Sequence, residues 1–342
     1  MTIEEQIAKN KRSSTIVMII FSLLLTAVGL FLGLLAGYIL ANDPNSLWKI
    51  ALGTAGGFLV ATLLYSLFVY YNTTSVFMSS VKGKKITQDN SSPAEKQLFD
   101  IMEELQITAE IPLPEIYIVD DPEANAFATG RDPKHAAIGV NTGLLKMMNR
   151  EELKGVLAHE MSHIKNYDIR SGSITVALTG FIAGVGSFLT EIGEDTLWFG
   201  SWGDHDDDRR DNNKSGALIG IAMMIGGLII QLVGVPIALL LQFALSRQRE
   251  SLADISGVDM TQNPQGLIDA LNKLKQDQVP SSNANSKAAA LCIRTPLTKA
   301  DVKKMQKAGL SEPKKHKFTL AGLLNTHPPL DRRIERLRQL IE

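Results

Sequence analysis

The chain has 342 residues, with 35 Lys and Arg against 36 Asp and Glu, so no net charge favours nucleic acid. Hydrophobic residues make up 45% and charged residues 21%, averages that a soluble protein can share, but the apolar residues here fall in blocks. A single cysteine, Cys292, excludes an intrachain disulfide and leaves His, Asp and Glu to hold any metal.

In chain order, Lys9, Lys11 and Arg12 precede the uncharged run from Thr15 to Ala41. That start resembles a signal peptide, yet the run is too long for its apolar core and no small-residue cleavage site follows, so we read a retained anchor. A membrane-crossing helix needs about 20 apolar residues. Thr15–Ala41 meets this, and after the turn Asn42-Asp43-Pro44-Asn45 so does Ile50–Tyr71, which ends in the interfacial cluster Tyr65, Phe68, Tyr70 and Tyr71. Residues 1–71 are therefore expected to form an anchor with a transmembrane hairpin (15–41, 50–71).

Residues 72–170 read as a soluble part of mixed α and β. Ser92-Pro93-Ala94-Glu95 is a capping box with proline at the first helical position, predicting a helix to about Gln106 that Pro112 and Pro114 stop. Glu115–Val119, Phe127–Thr129 and Ala136–Val140 predict strands, the last two joined by the turn Gly130-Arg131-Asp132-Pro133. Asn149, with Glu152 three residues on, opens a second helix. Residues 171–246 carry a third uncharged stretch, 171–190, and a fourth, 215–246, with an acidic loop between them. The fourth is interrupted by Pro236, carries Gln231 and Gln242, and has Gly226, Gly227 and Gly234 for close helix packing. This pair reads as two further spans, with a buried helical pair as the other option. Lys82, Lys84 and Lys85 place both termini and Asn72–Arg170 in the cytosol by the positive-inside rule. Residues 247–342 return to soluble character. Between Val279 and Phe318 the chain is Lys-rich and polar, and reads as a mobile surface insertion.

The chemistry is carried by the second soluble helix. Leu153, Val156 and Leu157 recur at helical spacing, which puts His159 and His163 one turn apart on one face. Two imidazoles so placed reach one ion, and Glu160 beside the first of them stands where a general base for an attacking water belongs. Two solvent-facing histidines on an ordinary helix are the alternative. The third ligand must come from elsewhere; Glu250 is the candidate, with Asp254 one turn further on suited to orient an imidazole through its free N–H. A plain charged helix end remains the other reading of these two acids.

Together, Asn125-Ala126-Phe127-Ala128-Thr129-Gly130, the run Val156–Asp168, the run Ser246–Asp254 and Thr326-His327-Pro328-Pro329 resemble the HtpX family of membrane zinc metalloproteases along nearly the whole chain. The resemblance implies an α+β, mainly helical integral membrane protein with about four transmembrane helices and a zincin-like (gluzincin) cytosolic metalloprotease domain. It implies one Zn2+ per chain on His159, His163 and Glu250, Glu160 as catalytic base, and Asp254 in support. It also implies Asn125, Ala126, Phe127 and Ala128 as an edge that binds substrate by strand addition. His327 and Arg333, or Arg332 in its place, would steady the oxyanion.

The implied function is endoproteolysis of membrane or misfolded proteins in quality control and stress response, at a multi-pass site in the cell membrane facing the cytosol. Expected partners are the lipid bilayer and membrane-protein or unfolded polypeptide substrates, with no nucleic acid and a homo-oligomer left open. Two alternatives stand beside this: a CAAX prenyl-protease-like endopeptidase, for which the chain is short, and a catalytically silent membrane scaffold, which has no need of Glu160. Asp204–Asp208 with His205 reads as a solvated loop rather than a cation site, His135 and His316 as surface residues, and Cys292 as a small buried apolar residue rather than a nucleophile.

Overall fold

The computed structural model describes residues 3–41, 43–88, 92–201, 210–234, 249–282, 292–294, 296–308 and 329–339. The chain forms two compact units. One comprises residues 15–69 and 177–241, the other residues 1–14, 70–176 and 242–342.

The first unit is built on four apolar helical segments. These are α1 (Ile3–Leu40), α2 (Pro44–Ser80, kinked at Asn72), α6 (Asp168–Ser201) and α7 (Arg210–Ile229, continued by a π turn Ile230–Gly234). Among the described residues each holds a stretch long and apolar enough to cross a membrane: Ser14–Ile39, Pro44–Ser80, Asp168–Trp198 and Ala217–Gly234. Their outward faces carry Leu23, Leu63, Leu64, Phe188, Leu228 and Leu232, while Ser22, Thr62 and Ser66 are buried. Small residues let the helix backbones approach. A Cβ on Gly33 would strike Thr54 Oγ1 and the Ala51 backbone, and one on Gly227 would strike Thr190. Thr54 Oγ1 donates to Gly29 C=O at 3.0 Å, so the hairpin is tied across its helices as well as packed. Tyr65 stacks on Phe181 with ring centroids 4.0 Å apart.

The predicted acidic loop is shorter than expected. Helix α6 runs through Glu191, Glu194 and Asp195 to Ser201, since the segment holds no proline and Gly193 seats closely against Gly220. Pro236 and Gln242 lie outside the described residues.

The second unit holds a four-stranded sheet of order β1-β2-β4-β3, with strands Lys84–Lys85, Glu115–Val119, Ala126–Gly130 and Ala136–Asn141. The β2–β4 pair is parallel and the other two antiparallel, with Ile116 opposite Ile138 and Phe127 opposite Gly139. Helix α3 (Pro93–Ala109) starts on the predicted capping box, worth about 1 kcal/mol, and runs a turn beyond Gln106 until Glu110 turns left-handed at φ 57°. A short α4 (Thr142–Met147) links β4 to α5 (Arg150–Lys165), which opens on the Asn149–Glu152 capping box. Residues 249–261 form α8, followed by α9 (Pro264–Gln276), α10 (Lys299–Ala308) and α11 (Leu330–Arg338). The core lies between sheet and helices, with Leu98, Met102, Ile138, Val156, Leu157, Leu271 and Ile334 all buried.

Of the stretch Val279–Phe318, read from sequence as a mobile surface insertion, residues 283–291, 295 and 309–318 lie outside the described residues, and the described part is partly buried. Cys292, Ile293, Leu297, Val302 and Met305 are buried among the described residues. Its Lys-rich average hides apolar positions, of which Val302 and Met305 are buried on α10 while Lys299 and Lys303 are exposed.

Candidate metal centre

Helix α5 presents His159 and His163 one turn apart, with Leu153, Val156 and Leu157 of the same helix anchored in the core. The two imidazole Nε2 atoms stand 3.3 Å apart, and each lies 3.6 Å from an oxygen of Glu250. One ligand atom from each of the three residues falls within 4.8 Å of the others. Glu250 gets there because α8 crosses α5 at close range. Gly257 meets the backbone of Ala158 and His159, where a Cβ would come to 3.0 Å, and Ser162 Oγ donates to Ala253 C=O at 3.3 Å.

Each imidazole is oriented from behind by a carboxylate. His159 Nδ1 lies 3.0 Å from Asp254, and His163 Nδ1 lies 3.1 Å from Asp168. With Nδ1–H donating to a carboxylate, Nε2 keeps its lone pair for an ion. Asp168 was absent from the residues singled out in the sequence. It reaches back to His163 only because Tyr167, at φ 58°, turns the chain sharply between α5 and α6. Arg249 approaches Asp168 at 3.9 Å and donates to Ser171 Oγ.

Arg333 and Arg332 separate cleanly. Arg332 is exposed on α11, whereas Arg333 is 1% exposed and grips Asp254 with Nη2 at 2.6 Å and Nε at 3.0 Å. It also donates to the Ile293 carbonyl at 3.4 Å and stands 3.9 Å from Glu250. Asn125, Ala126, Phe127 and Ala128 are all buried, and β3 is the last strand of the sheet. The Ala128 backbone N–H donates to the Glu160 carboxylate, which ties the catalytic-base candidate to that strand. His327, His316 and Asp204–Asp208 lie outside the described residues; His135 is exposed and bonds Asp132 at 2.7 Å.

Electrostatics follow burial and charge. Burial, then Arg333, push His159 down to about 4. Burial works against His163 as well, but the bond to Asp168 and the field of Glu250 carry it up to about 9. Burial, with Glu250 adding to it and His163 opposing, pushes Glu160 up to about 8. Two imidazole nitrogens and a carboxylate oxygen converge there, a donor set suited to a cation. The fit to a metal is quantitative too. Two nitrogens at about 2.0–2.1 Å from a tetrahedral ion stand about 3.3 Å apart, which is the spacing of the two Nε2 atoms. A His-His-Glu donor set leaving a fourth position is that of a catalytic rather than a structural site.

Comparison with known proteins gives the family. A model of peptidase family M48 matches residues 92–341. The chain is 39% identical over 337 residues to the "Protease HtpX homolog" of Lactobacillus helveticus (strain DPC 4571), covering 98% of this chain and 99% of the relative. To the protein of the same name from Streptococcus uberis (strain ATCC BAA-854 / 0140J) it is 38% identical over 339 residues, with the same coverage. Among solved structures, the crystal structure of S. mikatae Ste24p is similar at a TM-score of 0.46 and 18% identity, over 96% of this chain and 67% of that one. With a converging histidine pair and distant glutamate in one unit and apolar helices of membrane length in the other, the chain belongs to peptidase family M48, among its HtpX proteases, and is a membrane-bound metalloprotease.

Proposed function

We propose that the site takes one zinc ion on His159 Nε2, His163 Nε2 and Glu250, and hydrolyses internal peptide bonds. The observation that carries this reading is the 3.3 Å spacing of the two Nε2 atoms with Glu250 3.6 Å from each. Bound zinc would supply Lewis acidity, drawing the pKa of a water toward about 7 and polarising the scissile carbonyl. Glu160, buried and raised toward neutrality, takes a proton from the attacking water and returns it to the leaving amine. Asp254 and Asp168 hold the two imidazoles in register, and Arg333 fixes Asp254. Asn125–Ala128 offers an extended substrate main-chain partners, and His327 completes the set as an oxyanion donor.

The substrates are membrane proteins or unfolded polypeptides cut on the cytosolic side of the cell membrane. This sidedness is supported by Lys82, Lys84 and Lys85 directly after the hairpin and by the Lys-rich C-terminal segment. The test is Glu160→Gln in the full-length protein. Cleavage of unfolded casein should fall by about 10²–10⁴-fold, the usual weight of a general base, with zinc content unchanged. Cleavage at the unmodified rate would remove Glu160 from the mechanism.

A further inference from the structure

The edge of β3 toward which a substrate strand would come is taken. Ile293 N–H donates to Ala126 C=O at 2.9 Å, and Cys292 pairs antiparallel with Phe127. The Asn125 side chain reads both main-chain groups of Arg294, accepting its N–H at 3.3 Å and donating to its C=O at 2.8 Å. Arg333 donates to the Ile293 carbonyl. Cys292 also lies close enough to Glu160 to feel its charge. The Phe127 position and the Ala126 carbonyl, which would receive an external peptide, are thus engaged by this chain: Cys292 pairs antiparallel to the edge, and Ile293 and Arg294 follow it in a bend. One carbonyl and one strand position cannot serve two peptides at once, because adjacent strands sit only about 4.8 Å apart.

The side chains are seated as well. Ile293 is fully buried. The Arg294 guanidinium bonds Glu123 at 2.7 Å, Asp277 at 3.3 Å, and the carbonyls of Leu274 and Asp277 at 2.7 Å. The Arg294 contacts make a seat for a basic side chain, next to Ile293 packed in the core.

We propose that Cys292-Ile293-Arg294 is a tethered pseudo-substrate, bound along β3 as a polypeptide substrate would be, and that it leaves this edge before substrate enters. The inference rests on the protease reading above and deepens it. The polypeptides that displace the segment best carry an aliphatic residue followed by Arg or Lys, which refill the Ile293 and Arg294 positions. Strand addition alone would accept nearly any sequence; the Glu123–Asp277 pocket adds the preference.

The test uses the full-length Glu160→Gln protein in detergent, with a synthetic peptide copying residues 288–297 as probe. Amide exchange across residues 292–294 should rise at least about tenfold when the peptide is saturating, as for a segment seated some nine-tenths of the time and then displaced. Peptide binding with unchanged exchange there would overturn the proposal and mark the segment as a fixed strand. In parallel, Arg294→Ala should raise kcat/KM for unfolded casein about tenfold by the same arithmetic, with Arg294→Lys close to the unmodified protein. An unchanged or lower kcat/KM in an Arg294→Ala protein of normal melting temperature would also overturn it. Should that variant fail to fold, the exchange experiment decides. Absence of both casein cleavage by the unmodified protein and peptide binding by Glu160→Gln would instead sink the protease reading, and this inference with it.

Discussion

The two units invert each other's chemistry. The unit of long helices buries Ser22, Thr62 and Ser66 and turns Leu23, Leu64 and Leu232 outward, whereas the unit with the sheet buries Leu98, Ile138 and Leu157. The second unit also buries charge: Glu160, Glu250, Asp254 and Arg333 are each no more than 5% exposed. In the first, lipid in place of water makes leucine a surface residue and leaves close packing of small residues to hold the helices together. In the second, water drives an apolar core together, and charge survives inside it where Arg333 grips Asp254 and where the two imidazoles stand beside Asp254, Asp168 and Glu250. One amino-acid average covers both, which is why bulk composition is silent about either.

This contrast can be broken most sharply at Arg333. Arg333→Ala leaves Asp254 charged and buried without its main partner, and should cost about 3–5 kcal/mol of stability, the usual penalty for half a buried pair. Its exposed neighbour Arg332→Ala should stay within about 0.5 kcal/mol. Denaturant melts of the two variants test this, and equal effects would mean the buried network is not what holds α11. A smaller effect is expected behind the second imidazole. Asp168→Asn should weaken zinc affinity by about 10–100-fold, as loss of an orienting carboxylate commonly does, measured by competition with a chelator. Unchanged affinity would leave His163 oriented by something other than Asp168. On the other side of the comparison, Gly33→Leu places a side chain against Thr54 and Ala51. It should destabilise the helical unit by about 1–3 kcal/mol, read as a lower melting temperature in detergent. Leu64→Ala, 63% exposed, should change little. If Leu64→Ala proved the more damaging of the two, its outward face would be a packed interface rather than a lipid-facing one.

Much of the architecture was legible because it is local. The capping boxes at Ser92 and Asn149, the proline stop after α3, the three strands around residues 115–141 and the four apolar runs are each encoded in consecutive residues. His159, Glu160 and His163 are legible for the same reason, since one helical turn suffices to bring them together. What escaped depends on distant contacts. Asp168 matters only once Tyr167 turns left-handed, and Gly257 only once α8 lies on the backbone of His159. Arg333 and Arg332 cannot be told apart until α11 has a buried face. The two-residue β1 and the short α4 are too brief for periodicity to show. Cys292-Ile293-Arg294 was hidden in a Lys-rich stretch, although Ile293 is fully buried. Its register against Ala126 is a tertiary fact that no local pattern announces.

In the proposed site three side chains from two helices share one metal ion. The most direct test of this is zinc stoichiometry and affinity, measured on the purified full-length chain beside Glu250→Ala. On the proposed function we expect one zinc per chain, bound at least about tenfold more weakly once a ligand is removed. One zinc per chain at undiminished affinity in Glu250→Ala would contradict the account, however well the two histidines are placed.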